Sequence, residues 1–150
     1  MKIAFFIMEQ MNVFLHNVIL QLKMKMMNTE DFVTYEQARA LKRLGFNVKC
    51  PHYYYVGRNF VSLEKCVIHG ILDCYVAAPT LAQAQKWLRK EKNLYVCVEI
   101  DITDTVNNIF YWTIYKLPYK KQIRKTRKFD SPEEALSAGI SEVIKFLENG

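Results

Sequence analysis

Apolar residues in this chain recur at two periods, and the switches between them mark its elements. Tyr35, Ala38, Leu41 and Leu44 share one side of a helix that starts at Thr34 and stops at Gly45. Leu81, Ala84, Trp87 and Leu88 form the same stripe on a helix from Thr80 to about Lys92, whose Arg89, Lys90 and Glu91 are expected to face water. Leu136, Ile140, Val143, Ile144 and Leu147 form it a third time after Ser131-Pro132. Each helix opens on a hydroxyl three residues before a Gln or Glu: Thr34 and Gln37, Thr80 and Gln83, Ser131 and Glu134. A hydroxyl so placed accepts the N3 amide while the longer side chain reaches back to the cap. At the end of the first helix, a left-handed glycine at Gly45 would let Phe46 fold back onto Leu41.

Between the helices the period falls to two. In Leu94 to Asp101, Leu94, Val96, Val98 and Ile100 alternate with Tyr95, Cys97, Glu99 and Asp101. In Ile109 to Lys116 the inward set is expected to be Phe110, Trp112 and Ile114, and the short connection Thr103 to Asn108 predicts an antiparallel hairpin. Val48 to Val56 and Leu72 to Ala77 form a weaker pair. Pro51 cannot donate to a ladder, which predicts an edge position for the first of these. One-sided helices with short connections to strands predict an α+β two-layer domain, its helices packed on one face of a mainly antiparallel sheet in the order αββαββα. The first two caps lie 46 residues apart, which hints at an αββ unit used twice.

Residues 1 to 26 have a different texture. Met1, Met8, Met11, Met24 and Met26 are scattered through an apolar stretch without Gly, Pro or Ser. Glu9, His16, Lys23 and Lys25 interrupt it well short of a membrane span, and no signal-type cleavage site follows Ile3 to Met8. Two readings stay open, an extra N-terminal amphipathic helix or a leader upstream of a true start at Met26 or Met27. Residues 27 to 150 then form a single α+β domain. Removing the leader would take away three Lys and one Glu and lower the net charge from +6 to +4.

The helix Thr34-Tyr35-Glu36-Gln37-Ala38 through Leu44-Gly45-Phe46, the tyrosine-rich strand after it, the segment Ala78 to Arg89 and the closing Ser131 to Leu136 helix resemble a family of small proteins of Bacteroidetes and their phages and mobile elements. The likeness covers about residues 32 to 149. That family carries no assigned activity, so the resemblance implies a setting but no site residues.

Composition narrows the chemistry. A chain of 150 residues with 51% hydrophobic and 24% charged residues is that of an ordinary globular domain. Cys50, Cys66, Cys74 and Cys97 show no disulfide-type spacing, so free thiols in a cytoplasm are expected. The formal charge of +6 is concentrated in one place. Lys116, Lys120, Lys121, Arg124, Lys125, Arg127 and Lys128 fall within thirteen residues that hold no acid, with Tyr111, Trp112, Tyr115 and Tyr119 among or just before them. Such a stretch offers phosphate attraction and stacking faces to single-stranded nucleic acid, or else is a solvated turn that protects a hairpin edge.

Two weaker constellations bear on metals. Cys50, His52, Cys66 and His69 supply soft ligands for one tetrahedral zinc, with Cys50 and His52 expected on one strand face, but at irregular spacing and without a Cys-x-x-Cys pair. Glu99, Asp101 and Asp104 hold the acids for a divalent ion, but an outward polar strand face accounts for them as well. No phosphate-binding glycine loop and no recognisable nucleophile setting occurs. The reading that follows is a small non-enzymatic domain, without cofactor or membrane segment, that binds a protein partner. Its alternative is a nucleic-acid-binding protein using residues 116 to 128. A chain beginning at Met27 is expected to melt cooperatively at a similar temperature; a loss of several degrees would show that the leader packs on the core.

Overall fold

In the computed structural model, the residues described are 11, 15, 29–55, 59–62, 75–103, 106–118, 121–125 and 128–150. Among them a 3₁₀ turn (Thr29–Asp31) precedes helix α1 (Tyr35–Arg43), strands β1 (His52–Tyr55), β2 (Asn59–Ser62) and β3 (Tyr75–Ala77), helix α2 (Leu81–Glu91), strands β4 (Leu94–Ile100), β5 (Phe110–Lys116) and β6 (Lys121–Lys125), and helix α3 (Pro132–Asn149). The fold is α+β with antiparallel strands, and helices bracket the strand groups in the expected alternation. The strands divide between two small sheets, ordered β2-β1-β3 and β4-β5-β6.

All three helix starts carry the expected hydroxyl cap, and the first two also the expected reciprocal bond. Thr34 and Gln37 form a complete capping box, as do Thr80 and Gln83, while Ser131 accepts the amide of Glu134 with Pro132 in the first turn. Each cap is worth about 1 kcal/mol because it satisfies an amide that the helix itself cannot. Gly45, at φ +95°, ends α1. The Phe46 amide donates to Leu41 O at 2.9 Å and the Gly45 amide to Lys42 O at 3.1 Å, which returns Phe46 to the core against Trp87.

The two cap segments also meet. Phe32 bridges Thr80 antiparallel, and the Val33 amide donates to Pro79 O at 3.1 Å. The starts of α1 and α2 are therefore held side by side, which joins the two α-then-strands halves at equivalent points. Tyr54 reinforces the joint by donating its hydroxyl to Val33 O at 2.6 Å.

Two expectations about strands change. β1 is the central strand of its sheet, not an edge, because the ladder begins at His52 and leaves Pro51 outside it. In β4, Leu94 and Val96 are buried but Ile100 is 46% exposed, since the strand runs past the end of the core. In β5, Trp112 and Ile114 are buried as expected, Phe110 only in part, and Thr113 on the opposite face is buried as well.

The core gathers Val33, Ala38 and Leu41 with Leu81, Ala84, Trp87 and Leu88, and closes on Val96, Trp112, Ile140 and Val143. At its centre α3 lies directly on β4 and β5. A Cβ at Gly139 would collide with Val96 Cγ1 and stand 3.2 Å from Trp112 Cβ and Cγ. Glycine in a helix interior costs about 1 kcal/mol relative to alanine, and here the absent methyl is what permits the approach. Gly139→Ala is expected to destabilise the fold by about 1–3 kcal/mol despite its better helix propensity, read as a lower denaturation midpoint at unchanged m-value. A neutral or stabilising effect would mean that α3 does not seat on Val96 and Trp112 as described.

Candidate functional site

The described part of the basic stretch lies on two paired strands and the turn residues Leu117 and Pro118. β5 and β6 pair antiparallel with Thr113 opposite Lys125, Ile114 opposite Arg124, Tyr115 opposite Gln122 and Lys116 opposite Lys121, with a register shift between Ile114 and Tyr115. β6 is an edge strand. The chain then returns to β5, where Phe110 and Phe129 exchange backbone hydrogen bonds of 2.9 and 3.0 Å. Of the candidate cations, Lys116 and Lys128 are exposed, and Lys128 takes φ +91°. Lys121, Arg124 and Lys125 occupy β6. Lys120, Arg127 and Tyr119 lie outside the described residues. Tyr115 is half-buried in β5.

The register places two lysine positions directly opposite each other at the end of the hairpin. Like charges at such paired positions destabilise a sheet. Edge lysines also discourage pairing with foreign strands.

The tyrosine set is wider than the sequence reading held. Gly139 fixes the Val96 and Trp112 face of the second sheet as the one under α3. Strand alternation therefore puts Tyr95, Cys97 and Glu99 of β4 with Tyr111, Thr113 and Tyr115 of β5 on the opposite face. Tyr95 and Tyr115 are ladder partners, as are Glu99 and Tyr111. The Tyr111 hydroxyl donates to Glu99 Oε2 at 2.7 Å, and the Arg89 guanidinium carbon lies 5.4 Å from the centre of the Tyr95 ring. The sequence carried this signal in the alternation of β4 and β5, but only the ladder shows which tyrosines become neighbours.

At the other end of β5 the polar connection from β4 carries two exposed apolar side chains. Ile102 is 85% exposed and Val106 86%. Asp101 holds the turn at Ile102. Its amide donates to Ile109 O at 2.7 Å, and its Oδ1 accepts from the Thr103 amide at 3.1 Å and the Thr103 hydroxyl at 2.6 Å. Asp101 is thus occupied in an Asx-type turn, and Asp104 lies outside the described residues. The edge of β4 is covered on the α2 side, where Gln85 Nε2 donates to Val96 O at 2.6 Å.

The zinc set is only partly described, since Cys66, His69 and also Cys74 lie outside the described residues. Cys50 precedes β1 and does not share a strand face with His52, because the ladder starts one residue beyond Pro51. Cys50 is buried in the core, its thiol points to Val48 O at 3.4 Å, and burial pushes that thiol up from its ordinary range. Burial also raises Cys97, with Glu99 adding to the effect. The His52 ring meets Phe32 edge-on at 5.1 Å, and burial lowers its pKa. Among the described residues no group of three or more His, Cys, Asp or Glu converges as a metal site. Two clefts of about 590 and 640 Å³ flank the start of α3. One runs along Gln85, Tyr95 and Cys97, the other along Gln37, Ser137 and Ser141.

A histidine held below its ordinary pKa favours the neutral folded state, so its contribution is complete above about pH 6.5 and is lost as pH falls through the folded value. Part of the acid loss of stability below pH 6.5 is therefore expected to disappear in His52→Phe, as measured by thermal melts from pH 7.5 to 4.5. Parallel curves for the two proteins would show that His52 does not feel its burial. No protein-family model, curated protein or solved structure matches this chain.

Proposed function

We propose that this chain is a small non-enzymatic binding or accessory domain that acts through protein–protein contacts in the bacterial cytoplasm. The phage or mobile-element setting is that of the family it resembles. The observation that carries the reading is the set of exposed apolar side chains at the otherwise polar β4–β5 connection, where Ile100, Ile102 and Val106 are 46%, 85% and 86% exposed. Large apolar side chains left exposed are favourable to cover. The Asp101 turn orders the Ile102 end before binding, which lowers the entropy lost on association. Among the described residues no helix is long and apolar enough to cross a membrane.

A second reading, nucleic-acid binding along the β5–β6 hairpin, is favoured by the opposed Lys116 and Lys121 positions. The two surfaces lie at opposite ends of β5 and are tested separately. In affinity capture from a Bacteroidetes extract, a partner is expected to be retained after nuclease treatment and lost from Ile102→Asp/Val106→Asp. The purified partner should bind that variant at least tenfold more weakly. The variant should melt within a degree or two of the unaltered protein, because both sites are exposed. Equal capture by the variant, or capture that vanishes on nuclease treatment, would overturn the protein-contact reading.

A further inference from the structure

We propose that the outer edge of β4 takes up an extended segment of a protein partner as an added antiparallel strand, with an apolar residue opposite each of Val98 and Ile100 and a Lys or Arg between them. The inference rests on the protein-contact reading above and gives that partner a shape and a chemistry.

β4 is an edge strand, and its ladder to β5 shows which backbone groups face outward. The Leu117 amide donates to Asn93 O at 2.8 Å and the Asp101 amide to Ile109 O at 2.7 Å, so the odd-numbered residues between them turn their backbone groups to β5. The even-numbered residues Val96, Val98 and Ile100 turn theirs to the outside. Gln85 of α2 occupies the first of these sites, Val96 O. Among the described residues, the backbone N–H and C=O groups of Val98 and Ile100 meet no partner beyond the Cys97 thiol, 4.0 Å from Val98 O. Ile100 is 46% exposed, and Val98 lines the surface cleft of about 590 Å³ beside α2. The edge is thus accessible, and its two outward residues present the donors and acceptors that an extended backbone matches.

The side chains around the edge set the composition of the added strand. A residue directly opposite Val98 or Ile100 lies on their face of the sheet, where Pro132 and Leu136 of α3 also line the cleft, so apolar side chains fit there. The residue between them lies on the Glu99 face. Asp31 and Glu133 line the same cleft and no Lys or Arg does, so acids surround the edge and favour a basic side chain at that position. The antiparallel sense is that of the rest of the sheet and is the more stable of the two per residue. A second copy of this chain fits less well. Pairing its Val98 with Ile100 would set Glu99 opposite Glu99, and like charges so opposed destabilise a sheet.

The test is fluorescence anisotropy with the full chain and a labelled synthetic peptide of about seven residues in which Val and Lys alternate. Binding is expected. N-methylation of the valine amides should abolish it, while N-methylation of the lysine amides leaves it, since only the valine amides point at β4 in the added strand. Ile100→Pro should weaken binding about tenfold and Ile100→Val hardly at all, because proline removes the outward N–H without touching the ladder to β5. Glu99→Gln should weaken it about threefold. Melts of every variant identify any that unfold, and the methylated peptides need no variant. Equal binding of the two methylated peptides, loss on lysine methylation alone, or no binding of the unmethylated peptide at about 1 mM overturns the strand addition. If a partner retained through Ile102 and Val106 binds folded Ile100→Pro like the unaltered protein, the protein-contact reading stands and the strand addition is overturned. A dimer in sedimentation velocity that Ile100→Pro dissolves assigns the edge to a second copy and overturns it likewise.

Discussion

The close seat of α3 on β4 and β5 is the contact on which the rest of the structure depends. Gly139 has no Cβ, so the helix backbone comes down onto Val96 and Trp112, and the apolar stripe of Ile140, Val143 and Ile144 closes the core behind it. Because α3 occupies that face, the alternate residues of both strands are turned the other way. The tyrosine face is thus a consequence of the helix seat, as each residue on one side of a pleated strand fixes its neighbours on the other.

The same helix is gripped from the first half of the chain by one side chain with two tasks. Gln37 accepts the Thr34 amide at 2.8 Å to complete the α1 cap, and its Nε2 donates to Ser137 O at 2.7 Å, Ser137 Oγ at 3.1 Å and Ser141 Oγ at 2.7 Å. It is 5% exposed, and a buried amide with its bonds made fixes one arrangement of α1 against α3 where apolar contacts alone would tolerate several. At the far end of both helices Arg43 reaches Glu148 at 2.6 Å, an exposed pair that adds little energy. Together with the Val33 to Pro79 bond, these contacts make the two strand groups parts of one body.

On that body the two surfaces proposed for partners lie at the ends of one strand. β5 begins beside the connection that exposes Ile102 and Val106 and ends at Lys116 against the basic edge. The tyrosine face lies between them. The first sheet is organised differently, with Tyr54 and Val76 turned to the core and Tyr55 against Tyr75 on the other side. Tyr54 is drawn into the joint between the two caps.

The sequence by itself determined the features that local bonds decide. Thr34 with Gln37, Thr80 with Gln83 and the turn at Gly45 each close within a few residues, so their hydrogen bonds form wherever the rest of the chain lies. The alternation in β4 likewise fixed which residues share a face. Tertiary structure decided what depends on residues far apart in the chain. β6 carries no clear alternation in Lys121–Lys125 and becomes a strand because β5 offers it a ladder. β1 becomes a central strand because β2 and β3 arrive on both sides of a ladder that starts after Pro51. Gln37 gained its second role only from serines about a hundred residues later, and Tyr95 met Tyr115 only through the β4–β5 register. A local pattern records which face a side chain takes, but its neighbours on that face are chosen by the pairing of strands and the seating of helices.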